Sequence, residues 1–457
     1  MCGLAGFAGS GDRGDLSAMV ASLSHRGPDG EGIYIDPDRR VFLGHRRLAI
    51  LDIEGGAQPM WNEDGQVGVV FNGEIYNHEE LRDSLEKAGH VFRSNHSDTE
   101  VLVHGYEEWG SALPERLNGM FAFAVYDRRA GRLFLARDRF GEKPLYYSLS
   151  PHVFAFASEL TALLCHHRVD ESLSTRSLQK FFAYGYLPAP NAIFSGSHNE
   201  LFAGYDPFEA LGIARRYARL VPTGIHKGIR RLADLLPVSS SNMSLDFKLR
   251  RGLMGMSYPE YVRIPIWMAP VEPDIMDEVF DSPLSLEDLY DEAIQLGNSG
   301  ESTHPVDRSL DFFSNLYLPD NILTKVDRAS MILSLESRAV FLDNDLVEFC
   351  RRLPNHYKYR NGTRKYLFKK ALQGHLPQDI IERRKKGFGI PLARWLRSVP
   401  EVMPSRGVAG MKLGWMKRCW DEHRGGRGDH RLPMWCWLSL QQILAQPEPR
   451  AASGQVA

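Results

Sequence analysis

The chain has 457 residues, a length that predicts two domains, and its 43% hydrophobic and 25% charged residues are typical of an ordinary soluble protein. Its 55 basic and 57 acidic side chains leave a formal charge of −2, which argues against nucleic acid or an anionic membrane as a partner and favours small neutral or zwitterionic substrates. The cysteines are odd in number and lack CxxC spacing, so we expect neither disulfides nor a structural metal site. The sequence has neither a signal segment nor an apolar run near ~18 residues, so we expect a cytoplasmic protein without a membrane span.

The first third of the chain is typical of antiparallel β-structure. Period-two alternation between Gly, Asn and Asp turns predicts strands over 67–71, 120–126, 132–136 and 153–157. An amphipathic pattern predicts a helix over 78–88, opened by a capping box of Asn77 and Glu80. The pair Asn72–Gly73 is therefore predicted to lie in the loop between a strand end and this helix.

Helical patterns dominate after about residue 205 and predict helices over 309–316, 321–335 and 345–353. The predicted organisation is a first domain over 1–165, a linker over 166–200, a mainly helical second domain over 201–445 and a disordered tail over 446–457.

Cys2 follows the initiator methionine directly, so removal of Met1 would leave a thiol and a free α-amine on one residue. A thiol with a pKa of ~8.5 is mostly protonated at neutral pH, whereas an α-amine titrates near ~7.7 to 8.0. The amine can therefore accept the thiol proton without a histidine, which makes Cys2 a candidate nucleophile. A cysteine at this position is by itself weak evidence.

Four motifs accompany Cys2: SHRGPD at 24–29, HRRLAILD at 45–52, NGEIYN at 72–77 and SDTE at 97–100. In this order they resemble the glutaminase domain of the glutamine-dependent asparagine synthetases, which are N-terminal-nucleophile amidotransferases. The resemblance covers about residues 1–160. It implies an α+β N-terminal-nucleophile sandwich, with antiparallel sheets between helices, that hydrolyses the side-chain amide of glutamine.

The resemblance assigns catalytic roles to Cys2, Asn72 and Gly73. Cys2 would supply the thiolate, and the Asn72 amide and the Gly73 N–H would stabilise the negative charge that develops on the amide oxygen. Asn-Gly is also a common turn signal, so the residues alone leave that alternative open.

The resemblance also assigns glutamine-binding roles. Arg47 would pair with the α-carboxylate, and Glu74 and Asp98 with the α-ammonium group. Asp98 could instead cap a helix that begins near Thr99.

The second half resembles the synthetase half of the same family through NELFAGY at 199–205, TKVDRASM at 324–331, ESRAVFLD at 336–343 and RKYL at 364–367. The resemblance implies ATP and Mg²⁺ as cofactors and aspartate as a further substrate, and it is compatible with a homodimer. It places Asp327 and the segment from Glu336 to Asp343 in a nucleotide and aspartate cleft, Glu200 on the same side, and Lys365 against phosphate charge.

The family's Ser-Gly-Gly-x-Asp-Ser phosphate loop is absent from this sequence, and the segment at 199–205 follows almost at once on residues 186–196. A stretch with several parallel strands is therefore missing near 196–198. We expect a mainly helical remnant of an α/β ATP-pyrophosphatase-like synthetase domain, with helical faces that lack their partner surface. The basic run at 383–386 is expected to be a solvated loop.

Three functions fit these observations. The first is a glutamine-hydrolysing asparagine synthetase that transfers ammonia to an activated aspartate-type carboxylate. The second is a glutaminase or altered amidotransferase without ATP-dependent synthetase activity, which the missing loop favours. The third is a degenerate non-catalytic paralogue, against which the joint presence of Cys2, Arg47, Asn72, Gly73 and Asp98 argues. The chain is interpreted as an enzyme of the asparagine synthetase type.

Overall fold

The computed structural model describes residues 2–50, 55–194, 197–199 (backbone), 214, 217, 220–239, 241, 244–299, 304–383, 390–402, 408 and 410–444. Glu200, residues 384–386 of the basic run and the tail predicted to be disordered lie outside the described residues.

Two antiparallel sheets occupy the described part of the first half. Their strands are β1 (Gly3–Gly9), β2 (Gly30–Asp36), β3 (Val41–Arg47), β4 (Met60–Trp61), β5 (Val67–Ile75), β6 (Gly119–Asp127), β7 (Arg132–Arg137), β8 (Tyr146–Leu149), β9 (Val153–Ala157) and β10 (Ser197–Asn199). One sheet has the order β10-β8-β9-β1-β3-β2 and the other β4-β5-β6-β7. Strand β1, which follows Cys2 directly, is therefore central in its sheet.

The two sheets face each other because alternate residues of their strands are apolar on both sides. In β6, the odd-numbered residues of 121–125 pack toward outer helices, whereas the even-numbered residues of 122–126 meet Leu4 and Leu43 of the other sheet. Helices α1 (Arg13–Ser22) and α4 (Leu160–Leu163) cover one outer face, and α2 (His78–Ala88) and α3 (Glu100–Trp109) cover the other. This arrangement confirms the predicted sandwich of antiparallel sheets between helices.

Helix α2 has the predicted bounds, but the predicted capping box is wrong. The Asn77 side chain makes no cap hydrogen bond. Its Oδ1 instead accepts from the Asn118 N–H at 2.9 Å, and its Nδ2 donates to the Arg116 carbonyl at 3.0 Å. Tertiary contacts with the segment before β6 therefore replace the local cap.

The four predicted strands are confirmed as β5, β6, β7 and β9, of which the first three are longer than predicted. The predicted loop at Asn72–Gly73 is wrong, because both residues lie inside β5, opposite Ala122 and Phe121. Pairing with β6 along all nine residues of β5 satisfies backbone groups that a turn would leave to solvent.

The described second half is mainly helical, as predicted. Its helices are α5 (Thr175–Tyr184), α6 (Thr223–Asp234), α7 (Leu245–Met256), α8 (Arg263–Met268), α9 (Met276–Val279), α10 (Leu286–Leu289), α11 (Asp291–Ser299), α12 (Pro305–Phe312), α13 (Thr324–Met331), α14 (Asn344–Arg352), α15 (Asn355–Lys358), α16 (Tyr366–Ala371), α17 (Gln378–Glu382), α18 (Leu392–Ser398), α19 (Leu413–Arg424) and α20 (Arg431–Leu444). Strands β11 (Tyr359–Arg360) and β12 (Thr363–Arg364) form a small hairpin.

The predicted helices over 309–316 and 321–335 have different ends in the structure. A π-helical segment, Phe313–Leu323, joins α12 to α13, and it contains Pro319, which has no N–H to donate within a regular helix. Helix α13 ends at Met331, three residues before Ser334, whose φ of +52° is incompatible with a continued helix. The prediction over 345–353 is confirmed by α14.

The core of the second half is built around α5, α19 and α20, where Trp420 and Trp437 are fully buried. By contrast, α14 buries none of its side chains, and Leu333, Val340 and Phe341 are 80%, 72% and 64% exposed. Helix α14 and the segment before it thus expose apolar side chains. Within the described ranges, every helix is too short or too polar to cross a bilayer.

Candidate active site

Cys2 lies at the start of β1, beside β5 of the facing sheet. Its backbone N–H donates to Asn72 Oδ1 at 3.0 Å, and its thiol points at the Leu48 carbonyl, with Sγ 3.9 Å from the oxygen. Burial raises the pKa of the Cys2 thiol above its ordinary value. A thiol that holds its proton at neutral pH needs a base in order to react, and an α-amine on the same residue can be that base.

Asn72 is fully buried. Its oxygen bonds Cys2, but its Nδ2 has no hydrogen-bond partner among the described residues. A buried amide donor without a partner costs roughly 1–3 kcal/mol. Such a donor beside a candidate nucleophile is suited to an oxygen of a bound ligand, including the oxyanion of an amide under attack.

Gly73 is required by the close approach of two strands. A Cβ at this position would lie 2.1 Å from the Met120 carbonyl oxygen and 2.7 Å from the Phe121 Cα. Gly73 also lines a cavity next to Cys2. Asn72 and Gly73 are therefore held rigidly in a sheet at the edge of this cavity, rather than in a turn.

Arg47 ends β3 and lines the same cavity. The SHRGPD motif fixes its backbone: the Asp29 N–H donates to the Arg47 carbonyl at 2.9 Å, and the Asp29 carboxylate accepts from the Ala49 N–H at 2.8 Å. A Cβ on Gly27 would lie 2.5 Å from the Arg47 nitrogen, which explains the glycine in the motif.

Asp98 and Glu74, the two carboxylates predicted on the glutamine side, both line the cavity. Asp98 Oδ2 accepts from the Ile75 N–H of β5 at 3.0 Å, and α3 starts at Glu100 without a side-chain cap, so Asp98 does not cap that helix. Burial raises the pKa of Asp98 to about 6. Burial also raises the pKa of Glu74 to about 7, although the nearby Arg338 guanidinium opposes this shift.

The cavity beside Cys2 contains about 40 Å³ of free space. It brings together all six residues predicted on the glutamine side: five line it, and the sixth, Asn72, bonds Cys2. A nucleophile, a guanidinium and two carboxylates in one cavity are the groups needed to hold an α-amino acid by both charges and to attack its side chain.

Two residues of the second half also line this cavity: Glu336 and Arg338, which belong to the segment predicted in a nucleotide and aspartate cleft. Arg338 Nε donates to Glu336 Oε1 at 2.8 Å, and an Arg338 terminal nitrogen lies 2.6 Å from Glu74 Oε2. The large sequence separation between Glu74 and Arg338 hid this contact from sequence reasoning.

Asp327 pairs with the fully buried Arg26. The Arg26 guanidinium donates to both Asp327 oxygens, at 2.7 and 3.0 Å, and to Glu159 at 2.8 Å. Its Nε donates to the Cys2 carbonyl at 3.2 Å. Arg26 belongs to the SHRGPD motif, but nothing in the sequence pointed to its partners.

The three described residues predicted on the nucleotide side, Asp327, Glu336 and Lys365, do not converge on one site for ATP and Mg²⁺. Such a site needs oxygen ligands and cationic groups that converge on the phosphates. Both oxygens of Asp327 are bonded to Arg26, Glu336 faces the cavity of Cys2, and Lys365 is an exposed residue that does not line that cavity. The described residues therefore support no step that passes through a nucleotide.

Two groups of described side chains bring three metal-ligating atoms within 4.8 Å of one another: Asp15, His166 and His167, and His90, His104 and Glu107. In each group a histidine nitrogen already contacts a carboxylate, at 2.8 Å in the first and 3.4 Å in the second.

Two curated relatives illustrate the similarity. Asparagine synthetase [glutamine-hydrolyzing] 3 of Bacillus subtilis (strain 168) is 39% identical over 204 residues, which cover 43% of this chain and 33% of the relative. Asparagine synthetase [glutamine-hydrolyzing] 1 of the same organism is 22% identical over 615 residues, covering 96% of this chain and 95% of the relative. The chain thus spans about a third of the first relative. The alignment with the second is longer than this chain, so that relative carries residues that this chain lacks.

A solved structure of glutamine phosphoribosylpyrophosphate amidotransferase from B. subtilis is 19% identical, with a TM-score of 0.32, over 51% of this chain and 57% of that one. A TM-score this low supports no conclusion about a shared fold. The family comparison is more informative: residues 1–212 match the glutamine amidotransferase domain and residues 194–445 match asparagine synthase. The second match covers more than half of the sequence, and the chain therefore belongs to the asparagine synthase family.

Proposed function

We propose that this chain is a glutamine-hydrolysing amidotransferase of the asparagine synthetase type, which releases ammonia from glutamine at Cys2 for transfer to an aspartate-type carboxylate. The cavity that joins the bonded pair of Cys2 and Asn72 to Arg47, Glu74 and Asp98 carries this proposal. The names of the relatives, which specify asparagine synthetase and glutamine hydrolysis, support it.

Glutamine fits the charges of the cavity in one orientation. Its α-carboxylate pairs with Arg47, its α-ammonium group with Asp98 and Glu74, and its side-chain amide then reaches toward Cys2. The Asn72 Nδ2 and the Gly73 N–H receive the amide oxygen.

The chemistry needs only groups on this chain and one water. The α-amine of mature Cys2 takes the thiol proton, and the sulfur attacks the amide carbon while Asn72 stabilises the oxyanion. The carbon–nitrogen bond breaks, the amine returns the proton to the departing ammonia, and a thioester remains. Water then hydrolyses the thioester to glutamate and frees Cys2.

The proposed domains are a glutaminase domain over 1–165 and an asparagine-synthetase-like domain over 201–445, joined by residues 166–200. The second is a remnant of an α/β ATP-pyrophosphatase-like domain. The asparagine synthase match, the longer alignment with the relative and the exposed apolar helices support this proposal. By its family it would take ATP and Mg²⁺, but the described residues define no step with them.

The test is ammonia release from glutamine by the full chain with a free N-terminal Cys2. Cys2→Ala should abolish release, whereas Cys165→Ala, which changes another free and half-buried cysteine, should retain it. Unchanged release by Cys2→Ala would refute the nucleophile. Asparagine formed from aspartate, ATP, Mg²⁺ and glutamine would establish the acceptor, and its absence would restrict the function to glutamine hydrolysis.

A further inference from the structure

We propose that the second half completes the glutamine site, with Arg338 as a positioning residue that orients Glu74 and balances the acidic side chains that receive the substrate ammonium group. This inference rests on the proposed glutamine hydrolysis and adds to it a role for a residue of the other half.

The segment 334–339, which contains Glu336 and Arg338, is hydrogen-bonded to the first half at both of its ends. The Ser334 hydroxyl donates to the His25 carbonyl at 2.6 Å, and the Ala339 N–H donates to Glu142 Oε2 at 3.3 Å. Between these contacts, the buried Lys143 ammonium donates to a backbone carbonyl of the segment at 3.4 Å. The segment is therefore held against the wall of the cavity.

Arg338 bridges one carboxylate of each half. Its guanidinium contacts Glu74 at 2.6 Å and Glu336 at 2.8 Å, and the side chains of these two acids are only 14% and 9% exposed. The Arg338 side chain is 46% exposed, so it lies at the mouth of the cavity with its charged end on the acids.

Three carboxylates, those of Glu74, Asp98 and Glu336, line the cavity. Without Arg338 they would repel one another, and like charges at close range favour protonation or displacement of one member. With Arg338 in place, the excess of negative charge is suited to one further cation.

The experiment compares three variants of the full chain. Arg338→Met removes the charge but keeps the length of the side chain, and Arg338→Lys restores a charge. Arg418→Met is the matched control, because Arg418 also forms an exposed ion pair with an acid, Glu278, in the second half. The steady-state kinetics of ammonia release from glutamine are measured for each, together with glutamine binding by calorimetry in the Cys2→Ala background.

For Arg338→Met, we expect KM and the calorimetric Kd for glutamine to rise about fivefold, the effect of one partly exposed ion pair, while kcat changes less than twofold. Arg338→Lys should recover most of the affinity, and Arg418→Met should match the parent. An unchanged or lower KM and Kd in Arg338→Met, or a lysine variant as weak as the methionine variant, would overturn the proposal. Binding without turnover in the parent would refute glutamine hydrolysis but still test Arg338, and absence of both would overturn both proposals.

Discussion

The Asn72 side chain bonds Cys2 through its oxygen and leaves its nitrogen unpaired among the described residues. The bond fixes the orientation of the amide, because the Cys2 nitrogen donates and only the amide oxygen can accept. One side chain thus orients the group that would act as base and offers a donor to the oxygen that becomes charged.

Replacing Asn72 should therefore impair chemistry more than binding. For Asn72→Ala we expect kcat for ammonia release to fall about 100- to 1,000-fold, the usual cost of one lost oxyanion donor, with little change in KM. Asn72→Asp, which keeps the acceptor but loses the donor, should be similarly impaired. Asn62→Ala is the control, because Asn62 is also buried but bonds Glu107. A kcat for Asn72→Ala equal to that of the control would contradict the oxyanion role.

Glutamine binding should weaken at low pH. Ionised Asp98 and Glu74 attract the substrate ammonium group, and burial raises their pKa values to about 6 and about 7. Affinity is therefore complete above these values, and KM should rise as pH falls from about 7.5 to 5.5. Glu74→Gln should remove the inflection near pH 7. A KM that does not change over this range would exclude ionised carboxylates from substrate binding. Protonation of the Cys2 amine would lower kcat rather than raise KM, so measuring both parameters distinguishes its effect from that of the carboxylates.

The contact between Arg26 and Asp327 should contribute strongly to stability. Arg26 is fully buried and its charge is matched by Asp327 and Glu159, so Arg26→Met would leave the buried Asp327 without its guanidinium partner and Glu159 with its contact to His25. We expect a loss of about 3–5 kcal/mol in the free energy of unfolding, measured by urea titration. Arg129→Met, which removes an exposed ion pair with Asp64, should have no measurable effect. Equal effects of the two substitutions would contradict a buried, matched pair.

His104 should make stability depend on pH. Burial alone would lower its pKa, but Glu100 and Glu107, at 3.6 and 3.4 Å, raise the pKa of His104 to about 9. Because the folded value exceeds the unfolded one, the stabilisation is complete below about pH 6.5 and is lost as pH rises through 9. The difference in unfolding free energy between the parent and His104→Gln should therefore shrink from pH 6 to pH 9.5. The exposed His152→Gln should show no such trend.

Local pattern was sufficient to predict four antiparallel strands and helix α2, and the family resemblance implied the sandwich. The alternation along β6 and the amphipathic pattern of α2 predict directly which side chains are buried. This is because side chains that face the core recur at the period of the strand or helix. Local pattern gave wrong predictions where long-range contacts determine the structure. Asn77 bonds the chain before β6 instead of capping its own helix, and Asn72–Gly73 continues strand β5 because β6 pairs with it.

The glutamine side of the site was predicted as a set, because its motifs together carry the resemblance, and its residues converge at one cavity. The partners of Arg26 and Arg338 were not, because ion pairs between distant segments leave no periodic signal. The predicted roles of Asp327 and Lys365 toward a nucleotide stay predictions, and Glu200 lies outside the described residues.

The Arg26 guanidinium donates to the carbonyl of Cys2 and to one carboxylate from each half of the chain, Glu159 and Asp327. Substitutions at positions 26 and 327 should therefore be correlated among homologues, because a change at 327 is tolerated only together with a compensating change at 26. Chimeras that join the first half of one homologue to the second half of another should fold when both parents have Arg26, Glu159 and Asp327. They should misassemble when the parents differ at these positions.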